Sequence, residues 1–472
     1  MEETMVDHSE TPAPGIRDLG AVPHSLNSSC FCISVDRDEL AREFQTSAET
    51  HTALSAMGDE HANMFAALPV FVARQHLDRM AEIVRAAEAV ISSRAYRDLV
   101  LENAPAIAQF EPRARGVFMS FDFHLSSDEP KLIEINTNAG GALLNLSLAR
   151  AQRACCEAVE PMMPGAAALD ALEHRFMDMF LAEWHLERGE LPLRRIAIVD
   201  EQPEGQYLYP EFLLFQQLFV RNGIDAVIAD PSALSMSDGM LRHERGPVDL
   251  VYNRLTDFML ERPAHHAIRK AYLEGSVVLT PHPRAHVLYA NKRNLAVLSD
   301  HARLSALGIP DDVSTTLVAG VPSTETVKAS KADSLWSRRR KLFFKPASGF
   351  GSRAAYRGDK LTRRVWEEIL AGDYVAQELV APGERMIGAP ESPTPLKFDV
   401  RNYVYGGEVQ FVTARLYQGQ TTNARTPGGG FAPVFTTSEK DSTGGLSDIL
   451  EHAILPCDKA TASCGVPAAE RT

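Results

Sequence analysis

The chain has 472 residues, of which 45% are hydrophobic and 23% charged, a composition typical of a globular protein with two or three domains. Asp and Glu exceed Lys and Arg, and the net charge is −14. This excludes bulk nucleic-acid binding, because that needs a basic surface that releases counterions. No segment approaches the roughly 18 apolar residues that span a bilayer, so we predict neither a nucleic-acid nor a membrane partner.

The cysteines predict free thiols. Six are present, two of them adjacent, and they form no CxxC pair that would indicate zinc. The first residues also lack the basic and apolar regions of a signal peptide. Reduced thiols without a signal peptide favour a cytoplasmic protein.

The two ends of the chain are predicted to be disordered tails, because residues 1–29 and 437–472 are polar and acidic. The next region, 30–189, begins as a helical scaffold. Between residues 36 and 93 apolar residues such as Val70, Val72 and Met80 recur at helical spacing.

A hairpin follows in the same region, with strands at 116–125 and 131–136 around a turn-rich spacer. Glu134 and Asn136 share one strand face, and Asp122 can meet them from the partner strand. Two carboxylates and an amide oxygen are hard ligands of the kind Mg²⁺ takes together with phosphate oxygens. A solvated sheet face is the alternative. Phe121, Phe123, Ile133 and Ile135 would form the opposite, core-facing side.

Residues 190–288 predict an α/β unit with an open, mostly parallel sheet. Apolar strands at 194–200, 224–229 and 248–253 alternate with a helical segment near residue 212. No GxGxxG motif follows the first strand, so a dinucleotide site is not expected. Open sheets bind ligands at the carboxyl ends of their strands, which makes Asp200, Asn253 and Arg254 candidate substrate contacts.

Residues 289–436 are denser in strands and glycine. Lys345 ends an apolar strand and precedes a small-residue loop containing Ser348, Gly349, Gly351 and Ser352. Glycines let backbone N–H groups approach a phosphate, and the lysine adds a charge. Residues 338–364 carry ten Lys or Arg and a lone Asp. This pattern indicates a polyphosphate site, with a solvated basic face as the alternative.

Further predicted strands in this region carry the charged residues Glu378, Arg401 and Arg415. Glu378 lies in an apolar run, where its carboxylate needs a partner such as an adenine amino group, a ribose hydroxyl or a structural arginine. Arg401 shares a strand face with Asp399, and Arg415 comes from the returning strand after a Gly-Gly turn. Converging guanidinium groups can grip a γ-phosphate or an acyl phosphate, although each motif alone also fits a solvent face.

Together these segments resemble the ATP-grasp superfamily over residues 110 to 436. The metal-ligand motif precedes the nucleotide region here, an order similar to that of the circularly permuted members, the glutathionylspermidine synthases and eukaryotic-type glutathione synthetases. The string 133–137 (Ile-Glu-Ile-Asn-Thr) and the twelve-residue step from Asp122 to Glu134 carry the match. Three departures leave the substrates unassigned. Ser120 replaces an arginine of glutathionylspermidine synthases, the glycine loop is shorter than in eukaryotic-type glutathione synthetases and lacks their acidic ligand, and no amidase domain precedes the core.

The resemblance implies a circularly permuted α/β ATP-grasp fold, with residues 30–189 supplying the metal hairpin, 190–288 an inserted substrate domain and 289–436 the nucleotide-binding region. It also implies the cofactors ATP and Mg²⁺. The residues expected to bind ATP are Lys292, Lys345, Ser348, Gly349, Gly351, Ser352, Gln377, Glu378, Leu379 and Val380. Mg²⁺ is expected on Asp122, Glu134 and Asn136, the transferring phosphoryl group on Arg401 and Arg415, and substrate on Asn138, Gly140, Asn253, Arg254 and Asn423.

The function implied is an ATP-dependent carboxylate–amine ligase that forms an amide or peptide bond through an acyl phosphate and acts on small molecules. A phosphotransferase and a non-catalytic nucleotide-binding partner protein are the alternatives. The sequence leaves open whether the protein forms a homodimer, and which carboxylate and amine it uses. His265, His266, His282 and His286 are interpreted as loop residues rather than metal ligands.

Overall fold

A computed structural model describes residues 21–31, 33–44, 63–125, 129–154, 159–349, 354–389, 391–422 and 426–437. The fold is mixed α/β, as predicted. The tail predicted at 437–472 lies outside the described residues apart from Thr437. Within these ranges, no helix is long and apolar enough to cross a membrane.

Twenty strands lie in the described ranges. They are β1 Ile33–Val35, β2 Val70–Ala73, β3 Met119–Leu125, β4 Pro130–Asn136, β5 Gln152–Ala154, β6 Arg195–Val199, β7 Asp225–Ala229, β8 Ser235–Ser237, β9 Met240–His243, β10 Gly246–Pro247, β11 Leu250–Asn253, β12 Val278–Thr280, β13 Thr324–Thr326, β14 Leu342–Pro346, β15 Tyr356–Arg357, β16 Tyr374–Glu378, β17 Gly383–Ile387, β18 Thr394–Tyr405, β19 Glu408–Tyr417 and β20 Gly430–Thr437.

The α-helices of the same ranges pack around these strands. They are α1 Ala21–Ser29, α2 Arg37–Phe44, α3 Arg74–Ser92, α4 Arg94–Leu101, α5 Ala106–Gln109, α6 Ala142–Ala151, α7 Ala166–Arg188, α8 Tyr209–Arg221, α9 His266–Leu273, α10 Pro283–Ala285, α11 Arg293–Leu298, α12 His301–Ala306, α13 Asp311–Gly320, α14 Ala332–Arg338 and α15 Arg363–Ala371. A π-helical turn, His286–Ala290, follows α10.

The central sheet has seven strands in the order β2-β20-β19-β18-β3-β4, with β17 also paired to β18. The early hairpin β3–β4 therefore lies beside the late strand β18, where Asp122 is opposite Arg401. The apolar face of the sheet packs against α3 through a cluster that includes Phe121, Phe123 and Ile83. This pairing brings residues from both halves of the chain to the opposite face.

The predicted hairpin is confirmed, with one correction to its core residues. Asp122 pairs with Glu134, but the register shifts between Asp122 and Phe123, so that Phe123 pairs with Leu132. A bulge of this kind adds one residue to one strand and re-aims its neighbours. Leu132 is consequently buried in the core, whereas Ile133, predicted to be a core residue, lines a cleft.

Two smaller sheets flank the central one. The predicted open parallel sheet is confirmed, with the order β12-β11-β6-β7 and parallel pairing throughout. The order β13-β16-β14-β15 describes an antiparallel sheet whose outer face is covered by α14 and α15.

Two predictions near the N-terminus need correction. Residues 21–29, predicted as part of a tail, form α1, because Leu26 and Cys30 pack in an apolar cluster with Phe71. Fully buried Arg385 also donates to the carbonyls of Asn27 and Cys30, which ties the end of this helix to β17. Val70 and Val72, predicted as helical, lie in β2, since a run of β-branched and aromatic residues favours a strand.

Candidate functional site

Asp122 lies at the centre of a buried charge cluster on the polar face of the central sheet. Its side chain is completely buried and accepts two hydrogen bonds from Arg401, Nε to Oδ1 at 2.8 Å and Nη2 to Oδ2 at 2.7 Å. Arg415 Nη2 donates to the same Oδ2 at 2.9 Å and also binds Asp399. The cross-strand register explains the cluster, since β18 places Arg401 opposite Asp122 and Asp399 opposite Arg415.

A second group of charges lies one strand away. Lys292 Nζ is 2.9 Å from Glu134 Oε1 and donates to the carbonyl of Gly349. Lys345 Nζ donates to the Ile133 carbonyl and to Gln377 Oε1, both at 2.9 Å. The two lysines therefore converge on β4.

The neighbouring charges shift the pKa values of these groups. Burial alone would raise the pKa of Asp122, but Arg401 and Arg415 outweigh it and hold that pKa well below its usual range. Burial would also raise the pKa of Glu134. The positive charges of Lys292 and Lys345 outweigh burial and lower that pKa. Burial lowers the pKa of Lys345 to about 8, so this lysine is still cationic at neutral pH.

The cluster carries more positive than negative charge. Four cations, Lys292, Lys345, Arg401 and Arg415, face three carboxylates, Asp122, Glu134 and Asp399. One positive charge is thus in excess in a chain whose net charge is −14. Such a local reversal of charge suits an anionic ligand.

A cleft of about 740 Å³, partly open to solvent, adjoins the cluster. Glu134, Lys292 and Lys345 line one end of it, and Phe343 and the segment Gln377 to Val380 line another part. Gly349 also borders the cleft, and Ser348 beside it is exposed. Glu378 differs from expectation, because its side chain is exposed and needs no buried partner. Gly351, Ser352 and Asn423 lie outside the described residues.

The donor set fits Mg²⁺ bound together with phosphate oxygens. Asn136 donates Nδ2 to Asp122 Oδ2, an orientation that leaves its own amide oxygen available. Asp122 and Glu134 would supply the carboxylate oxygens, and those of Asp122 also accept from Arg401 and Arg415. In the described part of the chain, no group of three or more His, Cys, Asp and Glu could hold a metal ion by itself. A metal held by two carboxylates and an amide needs further oxygens, as is usual for Mg²⁺ in phosphate-binding sites.

The loop after β4 joins the cluster to the parallel sheet. Arg254 Nη1 donates to Asn138 Oδ1 at 2.9 Å, and Tyr403 donates to the Gly140 carbonyl at 2.7 Å. The buried carboxylate of Glu211 accepts from the Gly141 amide. A Cβ on Gly140 would lie 2.6 Å from Arg254 Nη2, so only glycine permits this approach. Asn138, Gly140 and Arg254 are therefore brought together.

Asn253 was also predicted to contact substrate, but its side-chain amide is occupied by contacts within the protein. Asn253 donates to the Pro281 carbonyl and accepts from the Leu255 amide, so both ends of its amide hold the loop that follows β11. Asp200 directly follows the neighbouring strand β6, and burial raises the pKa of its carboxyl to about 6.

Three residues of the cleft were missed in the sequence. His124 Nδ1 is 2.8 Å from the Val380 carbonyl, Tyr417 lies beside the other ring nitrogen, and Thr422 donates to Asp399. His124 follows Asp122 by two residues and Tyr417 follows Arg415 by two, so the period of a strand was the signal that could have found both. Glu211 was also missed, and its only signal is that it is a lone acid in an apolar helix.

The four histidines form no metal site in the described residues. His265 lies between Asp257 and Glu201, and His266 is exposed. His282 contacts the Ala114 carbonyl, and His286 contacts Thr137 and stacks on the ring of Phe258. Burial lowers the pKa of His282 to about 4 and that of His286 to about 3, so both are neutral.

No protein family model matches the sequence, and no curated protein matches it. Solved structures do match. A glutathione synthetase-like effector from Globodera pallida in its apo form is 12% identical, with a TM-score of 0.52, over 82% of this chain and 96% of the other.

Two other matches are more distant. A candidate gamma-glutamylcysteine synthetase from Methylobacillus flagellatus KT is 11% identical, with a TM-score of 0.43, over 76% and 87% of the two chains. The ATP-grasp ligase PsnB, in complex with minimal precursor, Mg and ADP, is 12% identical, with a TM-score of 0.26, over 55% and 93%. The match to the Globodera pallida protein shows that this chain shares the overall fold of that glutathione synthetase-like effector.

Proposed function

We propose that this protein is an ATP-dependent carboxylate–amine ligase that releases ADP and phosphate. The observation that carries the proposal is the convergence of four cations and three carboxylates at one end of an open cleft. That combination suits the γ-phosphate of a nucleotide and the carboxylate it activates.

In this proposal, Asp122, Glu134 and Asn136 hold Mg²⁺. The ion supplies charge neutralisation between the nucleotide phosphates. Lys292 and Lys345 bind the α- and β-phosphates, since both line the cleft, where Lys292 contacts Glu134 and Lys345 contacts Gln377. Phe343 and the segment 377–380 bind the adenosine, for which their apolar side chains and backbone groups are suited.

Arg401 and Arg415 stabilise the group that is transferred. A carboxylate oxygen of the substrate attacks the γ-phosphorus, the bond to the β-phosphate oxygen breaks, and ADP leaves. The amine then attacks the acyl carbon, and the acyl carbon–oxygen bond breaks to release phosphate and an amide. Because both guanidinium groups are already fixed by Asp122 and Asp399, they need little reorganisation during transfer.

The substrate binds beyond the metal strand, beside Asn138, Gly140 and Arg254. This loop lies between the charge cluster and the carboxyl edge of the parallel sheet, where Asp200 follows β6. We attribute the chain order, with the metal hairpin ahead of the nucleotide region, to circular permutation of the ATP-grasp core. The pairing of β3 with β18 supports this, since the early hairpin completes the late sheet.

The test is ADP release from Mg-ATP across amino acids, with and without polyamines. A ligase releases ADP in proportion to amide formed and needs both substrates. A phosphotransferase releases ADP without an amine and accumulates a phosphorylated product, and a binding protein releases none. Glu134→Gln should abolish turnover, whereas Glu129→Gln, an exposed change at the start of β4, should leave it unchanged. Full activity in Glu134→Gln would refute the metal assignment.

A further inference from the structure

A cluster of cationic side chains lies on two turns and one helix start next to the small antiparallel sheet. We call it the basic patch and define it as Arg339, Arg340, Lys341, Lys360 and Arg363. It lies on the side of β14 away from the cleft. Phe343 and Lys345 of that strand line the cleft, whereas Leu342 and Phe344 pack on the opposite face against α14 and α15.

Three segments meet to form the basic patch. They are the 3₁₀ turns Arg339–Lys341 and Gly358–Lys360 and the first residue of α15. A Cβ on Gly358 would lie 1.8 Å from the Arg339 carbonyl oxygen, so the two turns can touch only because residue 358 is glycine. The fold thus holds these charges together despite their mutual repulsion.

Trp336 fixes the orientation of two of the arginines. The guanidinium carbon of Arg339 lies 4.0 Å from the ring centroid of Trp336, and that of Arg363 lies 4.1 Å from it. Trp336 is itself packed against Trp366. Arg339 Nη1 also donates to the Trp336 carbonyl at 2.8 Å. Guanidinium groups held in this way lose little further entropy when they bind a planar anion.

Within the described residues, the basic patch differs from its neighbours in its ion pairing. The nearby Arg338, Arg357 and Arg364 are paired with Glu325, Asp359 and Glu368. In contrast, no carboxylate in the described ranges lies within 4.0 Å of the five patch residues. Four of the five are exposed, and Arg339 is half-buried.

We infer that the basic patch binds an acidic polypeptide segment of a partner protein. Guanidinium groups match carboxylates in bidentate geometry, and the exposed Arg340 and Arg363 are placed to offer it. Single-stranded nucleic acids are bound by stacking bases on aromatic faces, but the Trp336 ring already has two guanidinium groups stacked on it. The overall charge of −14 also disfavours a long polyanion, whereas a short acidic segment meets mainly the patch.

The test uses the full chain and a labelled peptide of alternating glutamate and glycine, followed by fluorescence anisotropy. We expect saturable binding that weakens as salt rises. We also expect a change in tryptophan emission, and no binding of the same peptide with glutamine in place of glutamate. Equal or tighter binding of an oligothymidylate of the same charge would overturn the inference, as would absence of peptide binding.

Two double variants test whether the peptide binds at the basic patch. Arg340→Gln with Lys341→Gln, which leaves the Trp336 stack intact, should weaken peptide binding about tenfold. The matched control is Arg74→Gln with Arg94→Gln, which removes the same charge from exposed positions on α3 and α4 and should change affinity less than about twofold. Equal losses in the two double variants would assign the binding to overall charge and overturn the inference. ADP binding in the cleft should be unchanged in both.

Discussion

Replacing Asp122 with asparagine removes the counter-charge at the centre of the cluster while keeping the shape of the side chain. In the parent, Asp122 accepts two bonds from Arg401 and one from Arg415. In Asp122→Asn, an amide NH₂ must face a guanidinium group. The protein should therefore lose stability even though no cavity forms.

The expected loss of stability depends on which hydrogen bonds Arg401 and Arg415 keep in Asp122→Asn. Arg415 retains both of its bonds to Asp399, so most of its pairing survives. Arg401 keeps one bond to the remaining amide oxygen and a 3.4 Å contact to the Gly140 carbonyl, but its charge stays buried without a carboxylate. Breaking a buried pair in this way costs about 3 kcal/mol or more.

Urea unfolding at pH 7 measures the loss. The control is Asp170→Asn, which removes an equally short contact, 2.9 Å, from an arginine at an exposed carboxylate. We expect less than about 1 kcal/mol there. Equal losses in the two variants would refute the reasoning, because they would mean that burial does not set the strength of the Asp122 pair.

Three further changes test other parts of the structure. Arg385→Met should cost about 3 kcal/mol in urea unfolding, because it leaves the buried carbonyls of residues 27, 30 and 69 unpaired; an unchanged midpoint would contradict this. Asp200→Asn should raise stability at pH 7 by about 2 kcal/mol. Burial raises the pKa of Asp200 to about 6, so the native state keeps a proton that the unfolded state releases, and stability falls as pH rises from about 4 to 6. This gain should vanish near pH 4, and a gain independent of pH would contradict it. Gly140→Ala should raise the KM for substrate more than that for ATP, since its Cβ would press on Leu208 and Arg254; equal effects on both would contradict the placement of the substrate.

Strand periodicity was sufficient to predict one part of the charge cluster. Alternation placed Asp399 and Arg401 on one face, and the Gly-Gly turn brought Arg415 back to the same region, where it pairs with Asp399. The pairing of Asp122 with Arg401 joins residues 279 apart in the chain. No local pattern specifies such a pair, and the resemblance to a permuted fold was needed to expect it.

Other features were not accessible from the sequence. The bulge that moved Ile133 from the core to the cleft depends on how β3 and β4 fit against the helices, which alternation alone does not encode. Residues 21–29 have the composition of a polar tail, yet they form α1, whose end is held by Arg385. Arg385 is far along the chain, so a local sequence pattern could not predict this contact. The sandwich of Trp336 between two arginines likewise depends on tertiary packing.

The most direct test of the proposed function follows an oxygen atom. A carboxylate that supports ADP release is labelled with ¹⁸O in both carboxyl oxygens and incubated with Mg-ATP and an amine. Ligation through an acyl phosphate breaks the acyl carbon–oxygen bond, so the account predicts one ¹⁸O atom in each phosphate released. Unlabelled phosphate, or label retained in a stable phosphorylated product, would contradict it.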